Sequence, residues 1–192
     1  MARDFDFLPD QGSGDHLDKL LLSQRQRFGL LRWILFAAVT LLALLVQDVA
    51  GFRVKLLGGG INILPCVIFM ITALQGAEQG SIYALTASVL YYLSGSAPGA
   101  YVIPLITVIA IMVAILRQAC LPRGIGSILL CALVAMAIYE LCVFAIGLML
   151  GLTVLANLMS SVFTALWSMF VVPVAYPVLR SIGKIGGETW KE

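Results

Sequence analysis

Gly126–Leu150 reads GSILLCALVAMAIYELCVFAIGLML, 25 residues whose only charge is Glu140. At 1.5 Å per residue it is long enough to cross the roughly 30 Å hydrocarbon core of a bilayer as one helix. A carboxylate near the middle of such a span costs a few kcal/mol, about 3 on insertion scales, unless it is neutral, paired or wet. The segment therefore sets the class, an integral membrane protein. It also marks Glu140 as the residue through which function is most readable.

Five more apolar segments flank it: Leu30–Gln47, Ile61–Leu74, Ser81–Leu93, Ala100–Leu116 and Asn157–Leu179. The expected fold is an all-α polytopic bundle of about six transmembrane segments. The second and third fall short of the roughly 17-residue minimum for a span. They are expected to extend through Gln75–Gly80, to cross a thinned region, or to form a re-entrant hairpin, which is tolerable only where protein or water covers it. Pro65 sits where a first helical turn can lack an N–H, and Pro173 should kink the sixth segment.

Hydrophobic residues make up 61% of the 192 and charged residues 11%, a balance outside that of soluble domains. The 12 Lys and Arg are unevenly placed. With the N-terminus inside and an even number of crossings, Arg3, Lys19, Arg25, Arg27, Arg32, Arg117, Arg123, Arg180, Lys184 and Lys191 lie inside, and Arg53 and Lys55 outside. Four crossings plus a re-entrant hairpin give the same count. The expected organisation is an N-terminal tail over 1–28, a transmembrane domain over 29–184 and a C-terminal tail over 185–192, both tails cytoplasmic. Residues 1–16 are acidic with Pro and Gly and read as disordered. Residues 17–32 are basic and partly amphipathic, suited to a helix on the inner leaflet. A docking peptide built on Phe5, Phe7 and Leu8 is the other reading. Leu30–Val46 is too long for a signal-peptide core and is read as a retained anchor.

Catalytic patterns are lacking. His16 is the single histidine, in the polar tail, and no H-E-x-x-H, P-loop, G-x-S-x-G or pair of membrane aspartates occurs. Cys66, Cys120, Cys131 and Cys142 form no C-x-x-C and read as small membrane-core side chains. No catalytic, metal or cofactor site and no nucleic-acid partner is expected. Glu78, between the short segments, reads as solvated at headgroup level, and Tyr91 and Tyr92 as an interfacial aromatic belt.

Around Glu140 the helical face carries Met136, Ala137, Val143, Phe144, Gly147 and Gly151, the last two in small-x-x-x-small spacing. In the sixth segment Asn157, Ser161, Thr164 and Ser168 share a stripe. The short Gly151–Ala156 connection makes the two segments antiparallel neighbours, with Thr164 and Ser168 bracketing Glu140 in depth. Glu140 is thus expected to face the sixth helix or the bundle interior, largely protonated, and to hydrogen-bond a hydroxyl there. Glu140, Gly147, Gly151, Ser161, Thr164 and Ser168 are the candidate interhelical or partner interface. Glue between helices, a contact with a partner membrane protein, and a solute or proton site are the three roles open to it.

One order of features is shared with a known family. Leu64-Pro65 is followed by Gly76 and Gly80, then Leu93-Ser94-Gly95-Ser96 and Pro98-Gly99, then a basic turn at Arg117–Arg123. Tyr139-Glu140-Leu141 comes next, and the last segment ends Pro173-Val174-Ala175-Tyr176-Pro177-Val178-Leu179-Arg180. Over about residues 30–184 this resembles MreD, the small membrane subunit of the bacterial rod-shape machinery. The family often has an acidic residue before the Ser-Gly, where this chain has about Tyr91, and the acidic tail here is longer. The resemblance implies a non-enzymatic scaffold of cell-elongation peptidoglycan synthesis in the cytoplasmic membrane. Its implied partners are MreC-like and RodA-like proteins, a class B penicillin-binding protein and, indirectly, the MreB filament. The alternative is the substrate-binding subunit of an energy-coupling-factor vitamin transporter, also a small six-helix bundle. The A-x-x-x-A docking stripe often found on its first helix is not matched by Ala37, Ala38 and Ala43.

Overall fold

A computed structural model describes residues 24–51, 60–120 and 125–184. The expectations for 1–16, for residues 17–23 of the 17–32 segment and for the C-terminal tail lie outside the described residues. Within them the chain is helical with no strand: α1 Gln24–Gly51, α2 Ile63–Gln75, α3 Ala77–Leu93, α4 Val102–Cys120, α5 Ile125–Met149, a 3-10 turn Leu155–Asn157, α6 Leu158–Ser168 and α7 Val171–Gly183. The last three run on as one 29-residue apolar unit, so six helical units form the bundle. Three are long and apolar enough to cross a membrane, Gly29–Val49, Gly126–Met149 and Leu155–Gly183, and two shorter apolar helices accompany them. The protein is an all-α helical membrane bundle.

A short helix, α2, is its centre. Every residue of α2 from Leu64 to Leu74 is buried, and α2 packs against α1, α3, α4, α5 and α7. Apolar side chains line it on every face because neighbours cover it all round, the mark of a core helix. Neighbouring helices cover it from Leu64 to Leu74, so the length a lipid-facing span needs does not apply to it. Thirteen residues rise about 20 Å, and the extended lead-in Gly60–Asn62 adds up to about 10 Å. The helix itself runs from Gln47, which meets Leu64 N–H, to Arg117, which meets the Ala73 carbonyl.

The outer helices close a ring around α2. α3 packs on α4, α4 on α5, α5 on α6, and α7 on α1. Parallel α1 and α3 are tied by a ladder of side chains: Arg32 to Gln79 (2.7 Å), Thr40 with Tyr83, Gln47 to Tyr91 (3.2 Å) and Asp48 with Ser96. α1 is continuous from Gln24, so residues 24–32 are its opening turns and not a separate surface helix.

One residue turns the chain between α2 and α3. Gly76 has φ +88°, a region open to glycine at little cost. Four residues on, a Cβ at Gly80 would lie 2.7 Å from Thr72 Cγ2 and 2.9 Å from the Thr72 carbonyl oxygen. The hairpin therefore closes only because position 80 lacks a side chain. α3 begins at Ala77, earlier than the expected Ser81, since the turn takes one residue instead of a frayed loop.

Pro173 acts as expected, four residues upstream. It has no N–H to offer the Met169 carbonyl, and Val172 N–H takes that carbonyl instead at 3.1 Å. Met169 and Phe170 likewise bond three residues back, at 3.1 Å each. This short 3-10 step separates α6, which packs on α5, from α7, which packs on α2 and α1.

Candidate functional site

The polar residues of the bundle converge on the start of α2. Gly60–Asn62 is non-helical, and Asn62 has φ −97° and ψ 86°. Irregular backbone at membrane depth needs internal partners, and α6 and α1 supply them. Gly60 N–H donates to Thr164 Oγ1 at 3.1 Å and Asn62 N–H to Ser168 Oγ at 2.9 Å. Leu64 N–H donates to Gln47 Oε1 at 2.7 Å. Pro65, next in line, has no N–H to place. Asn62 does not cap α2 with its side chain; its amide Nδ2 donates to Glu140 Oε1.

Glu140 is 7% exposed and faces the bundle interior. Its partner is Asn62, which corrects the expectation of a hydroxyl. The Thr164 and Ser168 hydroxyls are turned to their own helix, donating to Ser160 O at 2.9 Å and Thr164 O at 2.7 Å. Their lone pairs serve the lead-in backbone. Helix-to-helix contact at this depth is thus bridged by residues 60–62: Glu140 on one side, Thr164 and Ser168 on the other.

The glycine pair has a different role from close helix packing. Gly151 has φ +69° and open space around it. Its N–H bonds Leu148 O at 3.1 Å, and Leu152 N–H bonds Gly147 O at 2.8 Å. These two bonds are a Schellman motif ending α5. Gly147 is buried against Thr153, whose Cγ2 would lie 3.3 Å from a Cβ there. The spacing of four reflects a helix terminus, and among the described residues a Cβ at Gly147 would meet only Thr153 and one at Gly151 nothing. Ser161 is half-buried, on the wall of a groove between α5 and α6.

Two aromatic residues, Tyr91 and Tyr139, complete the cluster, and the first corrects the expectation of an interfacial belt. Tyr91 is 1% exposed, not interfacial; it accepts from Gln47 and lies beside the Tyr139 hydroxyl. Tyr92 alone faces outward, at 42% exposure. Tyr139 in turn stands edge-on to Phe69 of α2, ring centroids 6.1 Å apart. Gln47 is the hinge of this set, since its two amide atoms hold Tyr91 and the α2 backbone together. Its position at the end of an apolar run gave one signal, the burial of a long polar side chain beside a glycine-rich connection.

Among the described residues no group of three or more His, Cys, Asp or Glu could hold a metal. Cys66, Cys131 and Cys142 carry free thiols. The chain matches no known protein-family model, no curated protein and no solved structure. What the arrangement can do chemically is hold a neutral or charged carboxyl against an amide and fix the entry of the central helix.

Proposed function

We propose that this chain is a non-catalytic scaffold subunit of the bacterial cell-elongation (rod-shape) peptidoglycan synthesis machinery. It sits in the cytoplasmic membrane with both termini inside, as the ten-to-two distribution of Lys and Arg supports. The observation that carries the reading is the ordered set of residues shared with MreD. Those residues fall at positions where the architecture is decided. Leu64-Pro65 opens the buried helix, Gly76 and Gly80 make the one-residue hairpin, and Glu140 holds Asn62. Pro173 sets the 3-10 step. A family whose marked residues are structural is one whose members act by presenting surfaces, and MreC-like, RodA-like and penicillin-binding proteins are the partners of that reading. Depletion in a rod-shaped host tests it: cells should round and widen before growth stops, and rods of normal width at full depletion would count against it.

A second reading has one observation in its favour. A cavity of about 230 Å³ at the far end of the bundle is lined by Gln47, Asp48, Gly60, Ile61, Asn62, Gly95 and Ser96. A substrate-binding subunit of a vitamin transporter needs a polar cup of this kind. Binding of a radiolabelled vitamin to the purified protein would select it.

A further inference from the structure

The cavity where α2 begins has more hydrogen-bond acceptors in its walls than donors. It measures about 230 Å³, between the end of α1 at Gln47 and Asp48, the lead-in Gly60–Asn62 and the α3–α4 connection at Gly95 and Ser96. The excess follows from the sequence of the lead-in. In an unbroken helix the carbonyls of residues 60 and 61 would accept from the N–H groups four positions on, those of residues 64 and 65. Here Leu64 N–H goes to Gln47 Oε1 at 2.7 Å, and Pro65 has no N–H. Among the described residues no backbone N–H reaches the Gly60 or Ile61 carbonyl. Both residues are half-buried, and a carbonyl in that setting calls for a donor from elsewhere.

Two side chains add to the set. Asn62 spends its amide Nδ2 on Glu140, and no described group donates to its carbonyl Oδ1. Asp48 accepts the Ser96 hydroxyl on Oδ1, and no described group donates to Oδ2. Gln47 has nothing to give, since its two amide atoms hold Tyr91 and the Leu64 N–H. The described cations are at the other end of the bundle. Arg32 meets Gln79 at the start of α3, and Arg117 meets the Ala73 carbonyl at the end of α2. Arg180 and Lys184 come a dozen residues or more after Ser168, which meets Asn62, so they stand about 18 Å or more along the helices. One carboxylate and several oxygens thus face a space whose own donors are used up.

The chemistry of the walls narrows what can answer them. His and Cys, the ligands that suit most transition metals, are not among the lining residues. Ca²⁺ sites gather several charged oxygens, and the walls hold one carboxylate. What matches is a singly charged head with several N–H donors and no acceptor; a primary ammonium has three donors and none. The volume exceeds the roughly 150 Å³ that holds a benzene ring, so a short chain fits beside the head. We infer that this cavity is a binding site for a small primary ammonium, whose N–H groups are shared between the Asp48 carboxylate, the Asn62 amide oxygen and the lead-in carbonyls. A soluble amine and the headgroup of an ethanolamine phospholipid both carry that group. The site goes beyond the scaffold role and does not depend on it.

Titration of the full-length protein with radiolabelled ethanolammonium, in phosphatidylcholine nanodiscs and an amine-free buffer, tests the assignment. The expected result is saturable binding of a single ligand per chain. Methylammonium should displace it, and tetramethylammonium, which has the charge but no N–H, and sodium should do so at least tenfold less well. Asp48→Asn keeps an acceptor for Ser96 and removes the charge; it should weaken binding at least tenfold in a protein that remains monodisperse. Nanodiscs containing phosphatidylethanolamine separate the two sources: reduced binding of the soluble label identifies the headgroup, and unchanged binding a soluble amine. Absence of saturable binding, equal displacement by tetramethylammonium or sodium, or full binding by monodisperse Asp48→Asn protein would each overturn the inference, and the displacement series needs no variant. Rounded cells on depletion without ammonium binding would keep the scaffold role and remove the site. Ammonium binding in a protein whose depletion leaves rods of normal width would do the reverse.

Discussion

Glu140→Ala should destabilise the bundle far more than Glu140→Gln, and the difference can be worked from the contact with Asn62. Alanine removes the acceptor of the Asn62 amide and leaves that donor enclosed by α2, α5 and α6. An unsatisfied buried donor costs about 1–3 kcal/mol. One buried methylene is lost as well, at about 0.8 kcal/mol. The sum is about 3 kcal/mol, and at roughly 2–4 °C per kcal/mol for a chain of this size the melting midpoint falls by about 6–12 °C. Glutamine keeps both methylenes and offers a carbonyl oxygen where Oε1 stood, so its cost stays under about 1 kcal/mol. Asn62→Ala completes a double-mutant cycle with Glu140→Ala. Interhelical hydrogen bonds in membranes couple by about 0.6 kcal/mol on average and about 1.7 at most. A value near 1 is expected here. Thermal unfolding of the purified protein in a mild detergent, followed by loss of the monodisperse fraction, reads all four variants. Strict additivity of the two alanines would refute the bond as a unit of stability. A glutamine variant as damaged as the alanine one would show that the charge itself is needed, which a scaffold role does not require.

Further substitutions probe the frame around that contact. Gly80→Ala should cost about 1–3 kcal/mol by overpacking. Thr72→Ala should not rescue it, because the Thr72 carbonyl oxygen is itself 2.9 Å from the new Cβ; the same unfolding assay decides. Gly151→Ala should cost about 1–2 kcal/mol through its left-handed backbone alone, with Gly151→Asn milder; equal tolerance of alanine and asparagine would argue against the Schellman end of α5. Gln47→Ala breaks the bonds to Leu64 N–H (2.7 Å) and Tyr91 (3.2 Å), an expected loss of about 2–3 kcal/mol seen as faster hydrogen exchange at the start of α2.

Long, uniformly apolar segments were the legible part of the fold. α1, α5 and the last span announce themselves by length and hydropathy, and Glu140 by its rarity in such a run. The central place of α2 was hidden because a helix buried on every side has no polar face to orient it, and its 13 residues look like a failed span. Asn62 was missed for a related reason. It is 78 positions from Glu140, and only the packing of α2 among its neighbours brings the two together. Tyr91 looked interfacial because aromatic residues at segment ends usually are, yet Gln47 across the α1–α3 contact turns it inward. Gly147 and Gly151 misled because a helix end and a helix–helix crossing both produce glycines four apart; the uncharged turn that follows was the available signal.

If the bundle acts by holding other membrane proteins together, those proteins should leave the membrane with it. Affinity capture of the tagged full-length chain from native membranes, read by quantitative mass spectrometry, makes the decision. A single-span MreC-like protein should be enriched, together with RodA-like and class B penicillin-binding proteins. Enrichment of a pair of ATPases with a transmembrane coupling subunit, and of no cell-wall protein, would contradict the scaffold role.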